Sequence, residues 1–478
     1  LEASVSDGDW IELGRISDGQ DDAISLHTVS ATVDVPADQL AIRIKADANA
    51  DNDTCWADNV RVTRLRDTRA EAVSRVRVTP AWLLSNAAQA EPFSTAQFAP
   101  TAKAIPSDAS FEGKLTFQPA VTPRETRLVA DRLSLTQRTE TPLSSFPEIS
   151  AAFVQDGDSL LPAKRGLVLT DNPYWDYILT PGRVWREPDD EGWNRAALPF
   201  ALVEKNANCV HNGLLTFGFK ADGTVTPAAW QIGSETCAYF QFDAWGIAPT
   251  DYVPGDFADA DAIKSREATE RSGRMPLRPI STLEESYPNI NVSAFGAAED
   301  VAPSAMTLFG LVAEGVHYVG GCETRYGPYP NCDEMVVPSY SFAKSLFGGL
   351  ALMRLEKLYP GVMQEHISDY VPACTAQGTW EGVTFENALD MATGHYQSVE
   401  SDADENAAVD QDFFLVEGQG EKIELACTLY PRRTAPGQQW VYHTSDTFLL
   451  GAAMQAFLEA REGPDADIYR DLLVDAVW

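Results

Sequence analysis

Two hydrophobic periods divide this chain, and the switch between them limits what it can fold into. Over residues 1–66 and 111–255 apolar and polar residues alternate in short runs, as in Ala23-Ile-Ser-Leu-His-Thr-Val, Leu40-Ala-Ile-Arg-Ile-Lys-Ala, Asn59-Val-Arg-Val-Thr and Ala238-Tyr-Phe-Gln-Phe. Side chains of a strand point alternately to its two faces, so such runs, broken by Asp, Asn and Gly, predict antiparallel strands. Gly213-Leu-Leu-Thr-Phe-Gly-Phe-Lys followed by Ala-Asp222-Gly223 is a hairpin signal, because Asp-Gly suits a tight turn with positive φ. After Ser341 apolar residues recur at helical spacing instead. Strands first and helices later imply a multidomain chain: β-rich parts, then an α/β or α+β domain.

A chain of 478 residues has room for two or three such domains. The expected division is a β-sandwich over 1–66, a linker or extended strap over 67–110, a β-rich middle domain over 111–255, a connector over 256–306 and a final domain over 307–478. The ending Cys55-Trp-Ala-Asp-Asn-Val-Arg-Val resembles the last strand of the jelly-roll sandwiches found beside secreted enzymes. That sandwich is expected to begin before Leu1. Asp47, Asp51, Asp53 and Asp58 cluster near this strand, where they could offer oxygens to a structural calcium ion. A solvated turn rich in Asp and Asn is the simpler expectation. No other cofactor is expected.

Charge excludes whole classes of partner. Seventy acidic against 36 basic residues give a formal charge of −34, which repels phosphate backbones and anionic lipid heads. Nucleic acid is therefore not an expected partner. No apolar run reaches the roughly 20 residues of a membrane helix. The chain opens at Leu1 without Met or a leader pattern, so a processed or partial product is expected. Seven cysteines lack CxxC spacing. Cys209 with Cys237, Cys322 with Cys332, and Cys374 with Cys427 are read as disulfides, leaving Cys55 over. That usage implies an oxidising, extracytoplasmic location: secreted, periplasmic or at the cell surface. Trp175, Trp185, Trp193, Trp230 and Trp245 could stack on a sugar, but buried core rings are the expected role. Cys209-Val-His211-Asn-Gly reads as a disulfide-pinned turn.

The chemistry is sought first in Ser341-Phe-Ala-Lys344, which opens the helical stretch. A Ser and a Lys three residues apart share one helix face, within reach of each other. A serine hydroxyl attacks poorly until a neighbour takes its proton, and a lysine can do so where desolvation favours its neutral form. Phe342, Leu346, Phe347 and Leu350 are the expected desolvating shell. A helix N-terminus at the serine would favour a developing oxyanion.

Two further segments follow in order. They are Trp380-Glu-Gly-Val-Thr-Phe-Glu-Asn-Ala-Leu-Asp-Met-Ala-Thr-Gly-His and Ala435-Pro-Gly-Gln-Gln-Trp-Val-Tyr-His-Thr-Ser-Asp-Thr-Phe-Leu-Leu-Gly. With the Ser-x-x-Lys they resemble the motif series of the serine β-lactamase and penicillin-binding-protein family, and especially its class C-related esterases and 6-aminohexanoate-dimer-hydrolase-like members. That resemblance implies Ser341 as acylated nucleophile, Lys344 as its base and Tyr442 as the phenol relaying a proton to the leaving group, with the Ser341 N–H as one oxyanion donor. Thr444 stands where the family commonly has Asn, and is expected to bind substrate or Lys344 by its hydroxyl alone. The family's later Lys- or His-x-Gly strand has no counterpart in the short stretch after Tyr442. A cleaved or continuing polypeptide is therefore expected, with a C-terminal fragment as partner.

Other chemistries are not supported. The six histidines form no HExxH or other close metal pair, and no Gly-x-Ser-x-Gly elbow or phosphate-binding glycine loop occurs. His443 is expected at the surface or just behind the site. The sequence thus leads us to expect a secreted serine hydrolase of an ester or amide. The alternative is an inactive relative kept as a binding or assembly module.

Overall fold

The computed structural model describes residues 2–5, 11–12, 40–43, 74, 76–85, 89–137, 141–205, 209–295, 306–416 and 418–474. Asp47, Asp51, Asp53, Asp58 and Cys55, with the runs at 23–29 and 59–63, lie outside the described residues. Two units make up the chain, Leu1–Ala70 and Glu71–Trp478. In the first, Glu2–Val5 pairs antiparallel with both Ile11–Glu12 and Leu40–Arg43.

The second unit is built on a large antiparallel sheet, 12-stranded among the described residues. Its centre is the run Asn194–Glu204, Val210–Phe219, Ala228–Thr236 and Phe240–Ala248, each pairing antiparallel with the next. Asp222-Gly223 turns the second of these into the third, with Gly223 at φ +85°. Period-two patterning decides which side chains meet. Leu215, Phe217 and Phe219 enter an aromatic core with Trp175, Trp230, Phe200 and Phe242, whereas Leu214 points the other way. That other face is covered by Val78, Leu83, Phe93 and Phe98. These belong to the segment expected as linker or strap, and its described part is a strap laid on the sheet. Gln231 fastens it: Phe93 N donates to Gln231 Oε1 (2.7 Å) and Gln231 Nε2 to Phe93 O (2.9 Å). The side-chain amide thus supplies the ladder that an edge backbone would offer.

Of the five tryptophans in the middle region, Trp175, Trp185, Trp230 and Trp245 are buried. Trp193 is half-buried, with the Lys220 ammonium 4.5 Å above its ring. The expected turn at Cys209-Val-His211 is instead the start of strand Val210–Phe219. His211 is wholly buried there, stacked on Phe242 at 4.4 Å. Burial among aromatic rings holds its imidazole down to about 3, hence neutral.

Beyond the sheet, Ala260–Gly273 forms a helix, and Leu277–Pro279 pairs in parallel with Val316–Gly321, which also pairs antiparallel with Leu308–Ala313. A strand from the expected connector therefore completes the small sheet ahead of Ser341. After Ser341 the regular elements among the described residues are helices, around a core including Leu352, Leu355, Trp380, Phe385, Leu449, Leu450 and Phe457. Each such side chain, fully buried, contributes roughly 1.5–3 kcal/mol of transfer free energy. Cysteines pair as Cys209–Cys237, Cys322–Cys332 and Cys374–Cys427. No helix among the described residues is long and apolar enough to cross a membrane.

Candidate active site

The segment leading to Ser341 is fixed to the large sheet before the helix begins. Asn212 grips it like a paired strand, its Nδ2 donating to Val336 O (2.8 Å) while Val336 N donates to its Oδ1 (3.1 Å). Tyr340 then donates its hydroxyl to Thr236 O (3.1 Å) and adopts φ +46°, a left-handed conformation unusual for an aromatic residue. This kink reverses the chain at Ser341, and the helical turns start at once: Lys344 N donates to Ser341 O (3.1 Å), π-helix spans Lys344–Gly349 and α-helix continues through Leu350–Leu358. Ser341 therefore sits exposed at the N-terminal end of this helix.

Tyr442 arrives on a different segment, and the two motif-bearing stretches hold each other. Gly437 N donates to Ala392 O (2.7 Å), Val441 N to Met391 O (3.0 Å) and Arg433 N to Gly394 O (2.8 Å). Gly394 has φ +85°, and a Cβ there would meet Thr434 O at 2.4 Å, so only glycine permits the approach. Tyr442 emerges from this ladder immediately before helix Thr444–Glu462.

The result is a cluster centred on one amine. Lys344 Nζ lies 3.1 Å from Ser341 Oγ, 3.0 Å from the Tyr442 hydroxyl and 2.9 Å from Thr444 Oγ1. It also stands 4.8 Å from the centre of the Tyr442 ring. An amine touching a hydroxyl and a phenol can carry a proton between them. The side chains expected to desolvate it do not close over it: Phe342 is 62% exposed and Phe347 38%. Lys344 is instead half-buried among polar oxygens.

Sequence reasoning missed the support behind this cluster. Glu405 receives the Thr444 N–H on Oε2 (2.9 Å) and the Thr444 hydroxyl on Oε1. Its neighbour Asp404 lies 3.1 Å from His443 Nε2, and Asp446 lies 3.6 Å from Nδ1. His443, expected at the surface or just behind the site, lies behind it and is completely buried, with its ring stacked on Tyr430 at 4.4 Å. Burial opposes its protonation, but Asp446 and Asp404 outweigh that and raise it above the ordinary histidine range. Thr393, within one of the quoted segments, donates to Asp446 Oδ2 (3.0 Å). Asp410 is buried close by and pushed up to about 7, first by desolvation and then by repulsion from Glu405. The acid-rich run 400–412 was the only trace of this cluster in the sequence, and it reads equally well as a solvated turn.

No group of metal-ligating side chains occurs among the described residues. No family model matches the chain, and no curated protein or solved structure matches it.

Proposed function

We propose that the protein is a serine hydrolase that forms an acyl-enzyme with an ester or amide. In this reading Ser341 Oγ attacks the carbonyl carbon while Lys344, in its neutral form, takes the hydroxyl proton. Tyr442 passes that proton to the leaving group, and the Ser341 N–H donates to the oxyanion. Water then repeats the sequence on the acyl-enzyme, with the same groups moving the proton in reverse. The observation that carries the reading is the convergence of Ser341 and Tyr442 on Lys344 Nζ at 3.1 and 3.0 Å, across a separation of 98 residues for the lysine and tyrosine. Spacing alone brings Ser341 to Lys344, since any helix does that; nothing local brings Tyr442 to the same amine.

On this reading the chain carries an N-terminal β-sandwich, a β-rich middle domain and a catalytic domain resembling the β-lactamase-related esterases. The three cysteine pairs favour a secreted, periplasmic or cell-surface location.

A fluorophosphonate probe followed by peptide mass spectrometry tests it. Label is expected on Ser341 and absent from Ser341→Ala; a protein that takes no label at Ser341 is an inactive module instead. p-Nitrophenyl esters, D-amino-acid amides and nitrocefin then sort esterase, peptidase and lactamase activity.

A further inference from the structure

Lys344 is in contact with three oxygens at once, and this raises a question of proton accounting. An ammonium has three N–H donors and no lone pair, so it satisfies Ser341, Tyr442 and Thr444 together but cannot accept a proton from any of them. To serve as base it must first lose one. Of its three partners, Thr444 is the one that leads to a carboxylate among the described residues: its hydroxyl accepts from Lys344 Nζ (2.9 Å) and donates to Glu405 Oε1. The same carboxylate accepts the Thr444 N–H through Oε2 at 2.9 Å, so the glutamate is held on both oxygens and the hydroxyl's orientation is fixed. Thr444 is the first residue of the 19-residue helix Thr444–Glu462, where an anion is favoured by the helix dipole.

We propose that Glu405 is a positioning residue of the base, accepting through the Thr444 hydroxyl the proton that Lys344 must shed before it can activate Ser341. This rests on the hydrolase reading above. In the step, one Lys344 N–H bond breaks and its proton passes to Thr444 Oγ1, while the Thr444 hydroxyl proton passes to Glu405 Oε1. Thr444 ends unchanged, Lys344 ends neutral and Glu405 ends protonated. Rotation of the amine about its Cε–Nζ bond then turns the lone pair to Ser341 Oγ. Thr444 is thereby assigned to the proton path and not to substrate binding, because its single proton is committed to Glu405.

The other ionisable groups around Glu405 do not substitute for this path. Asp404 and Asp446 are engaged by His443, Asp410 and Tyr430 are in contact with each other (3.5 Å), and none of these touches Lys344. Facing the amine itself are Ser341, Tyr442 and Thr444.

Two readouts on Glu405→Gln separate the roles. Trace labelling of the Lys344 amine with fluorodinitrobenzene across pH reports its titration whether or not the protein turns over substrate. Loss of the anion joined to the amine through Thr444 lowers that midpoint. A purely electrostatic glutamate would then make Ser341 react faster near pH 7, since more lysine is neutral. A proton acceptor predicts the opposite: the fluorophosphonate labelling rate of Ser341 falls about 100-fold in spite of the lower midpoint. Glu405→Asp restores part of the rate. Thr444→Val, which keeps the carboxylate and removes the bridge, shows the same rate loss, and the double variant Glu405→Gln/Thr444→Val loses no more than either alone. Thr444→Val alone also serves if Glu405→Gln does not fold.

An unchanged Lys344 midpoint in Glu405→Gln overturns the inference whatever the rate. So does a lowered midpoint with an unchanged or faster labelling rate. Should the unsubstituted protein take no label while the midpoint still falls in the variant, the hydrolase reading alone is lost and the Glu405–Lys344 coupling stands.

Discussion

His443 Nε2 lies 3.1 Å from Asp404 Oδ2, and this buried contact fixes the backbone between Tyr442 and Thr444. Consecutive acids grip consecutive residues, Asp404 taking His443 and Glu405 taking Thr444. With Tyr430 stacked on the imidazole and Asp446 on its far side, the segment bearing Tyr442 cannot swing away from Lys344 without stripping several buried polar groups of their partners.

Replacing His443 by Ala should therefore cost stability as well as geometry. Two buried carboxylates would lose their shared partner, and removing one member of a buried charged network costs about 3–5 kcal/mol. Urea unfolding of His443→Ala against the unsubstituted protein measures it. A loss below about 1 kcal/mol would mean that Thr393 and Tyr430 hold the segment without the histidine.

Tyr442→Phe isolates the phenol. The ring and its contact with the Lys344 ammonium persist, so stability should change by less than about 1 kcal/mol. The acylation rate with a p-nitroanilide, whose departing amine must be protonated, should fall by about 10²–10⁴, the usual contribution of a positioned acid–base group. Release of p-nitroaniline followed by absorbance measures the acylation phase, and an unchanged rate removes Tyr442 from the mechanism.

Asp410 makes stability depend on pH in a stated direction. Its folded-state carboxyl is held at about 7 against an ordinary 3.8, so below 3.8 it is protonated in both states and its contribution is complete. Between those values the unfolded chain releases the proton and the folded protein keeps it, so stability falls as pH rises and the contribution is gone above about 7. Asp410→Asn should flatten that slope between pH 4 and 7, as read from unfolding midpoints at a series of pH values. An identical slope in the variant would place the titration elsewhere.

The Cys374–Cys427 bridge closes a loop of sequence separation 53 that contains the ladder from Met391 and the Asp404–Glu405 turn. Chain-entropy reasoning gives its removal a cost of about 4 kcal/mol. Cys374→Ala/Cys427→Ala should show that loss in unfolding free energy. The site turn lies inside the freed loop, so Ser341 labelling should slow as well.

The hairpin at Asp222-Gly223, the strand pair at 308–321 and the helix after Ser341 were all legible, because each follows from side chains near in sequence: a turn dipeptide, an alternation, a three-four spacing. The strap at 76–110 was harder to read. Its apolar residues have no period of their own, since they are spaced to fit a sheet formed by strands far along the chain. His211 was misjudged, and His443 left between the surface and a place behind the site, for the same reason: their burial is conferred by Tyr430, Asp404, Trp175 and Phe242 from other segments. The apolar shell expected for Lys344 failed because helical periodicity shows which side chains share a face and says nothing of what lies opposite.

The sequence by itself determined the local elements and the adjacency of Ser341 to Lys344, because helix geometry makes neighbours of residues three apart. Tertiary structure alone decided that Tyr442 and Thr444 meet the same amine and that Glu405 stands behind them. Those contacts join segments whose pairing depends on backbone hydrogen bonds such as Val441 N to Met391 O, which any residue type can make and which therefore leave no mark on composition or period.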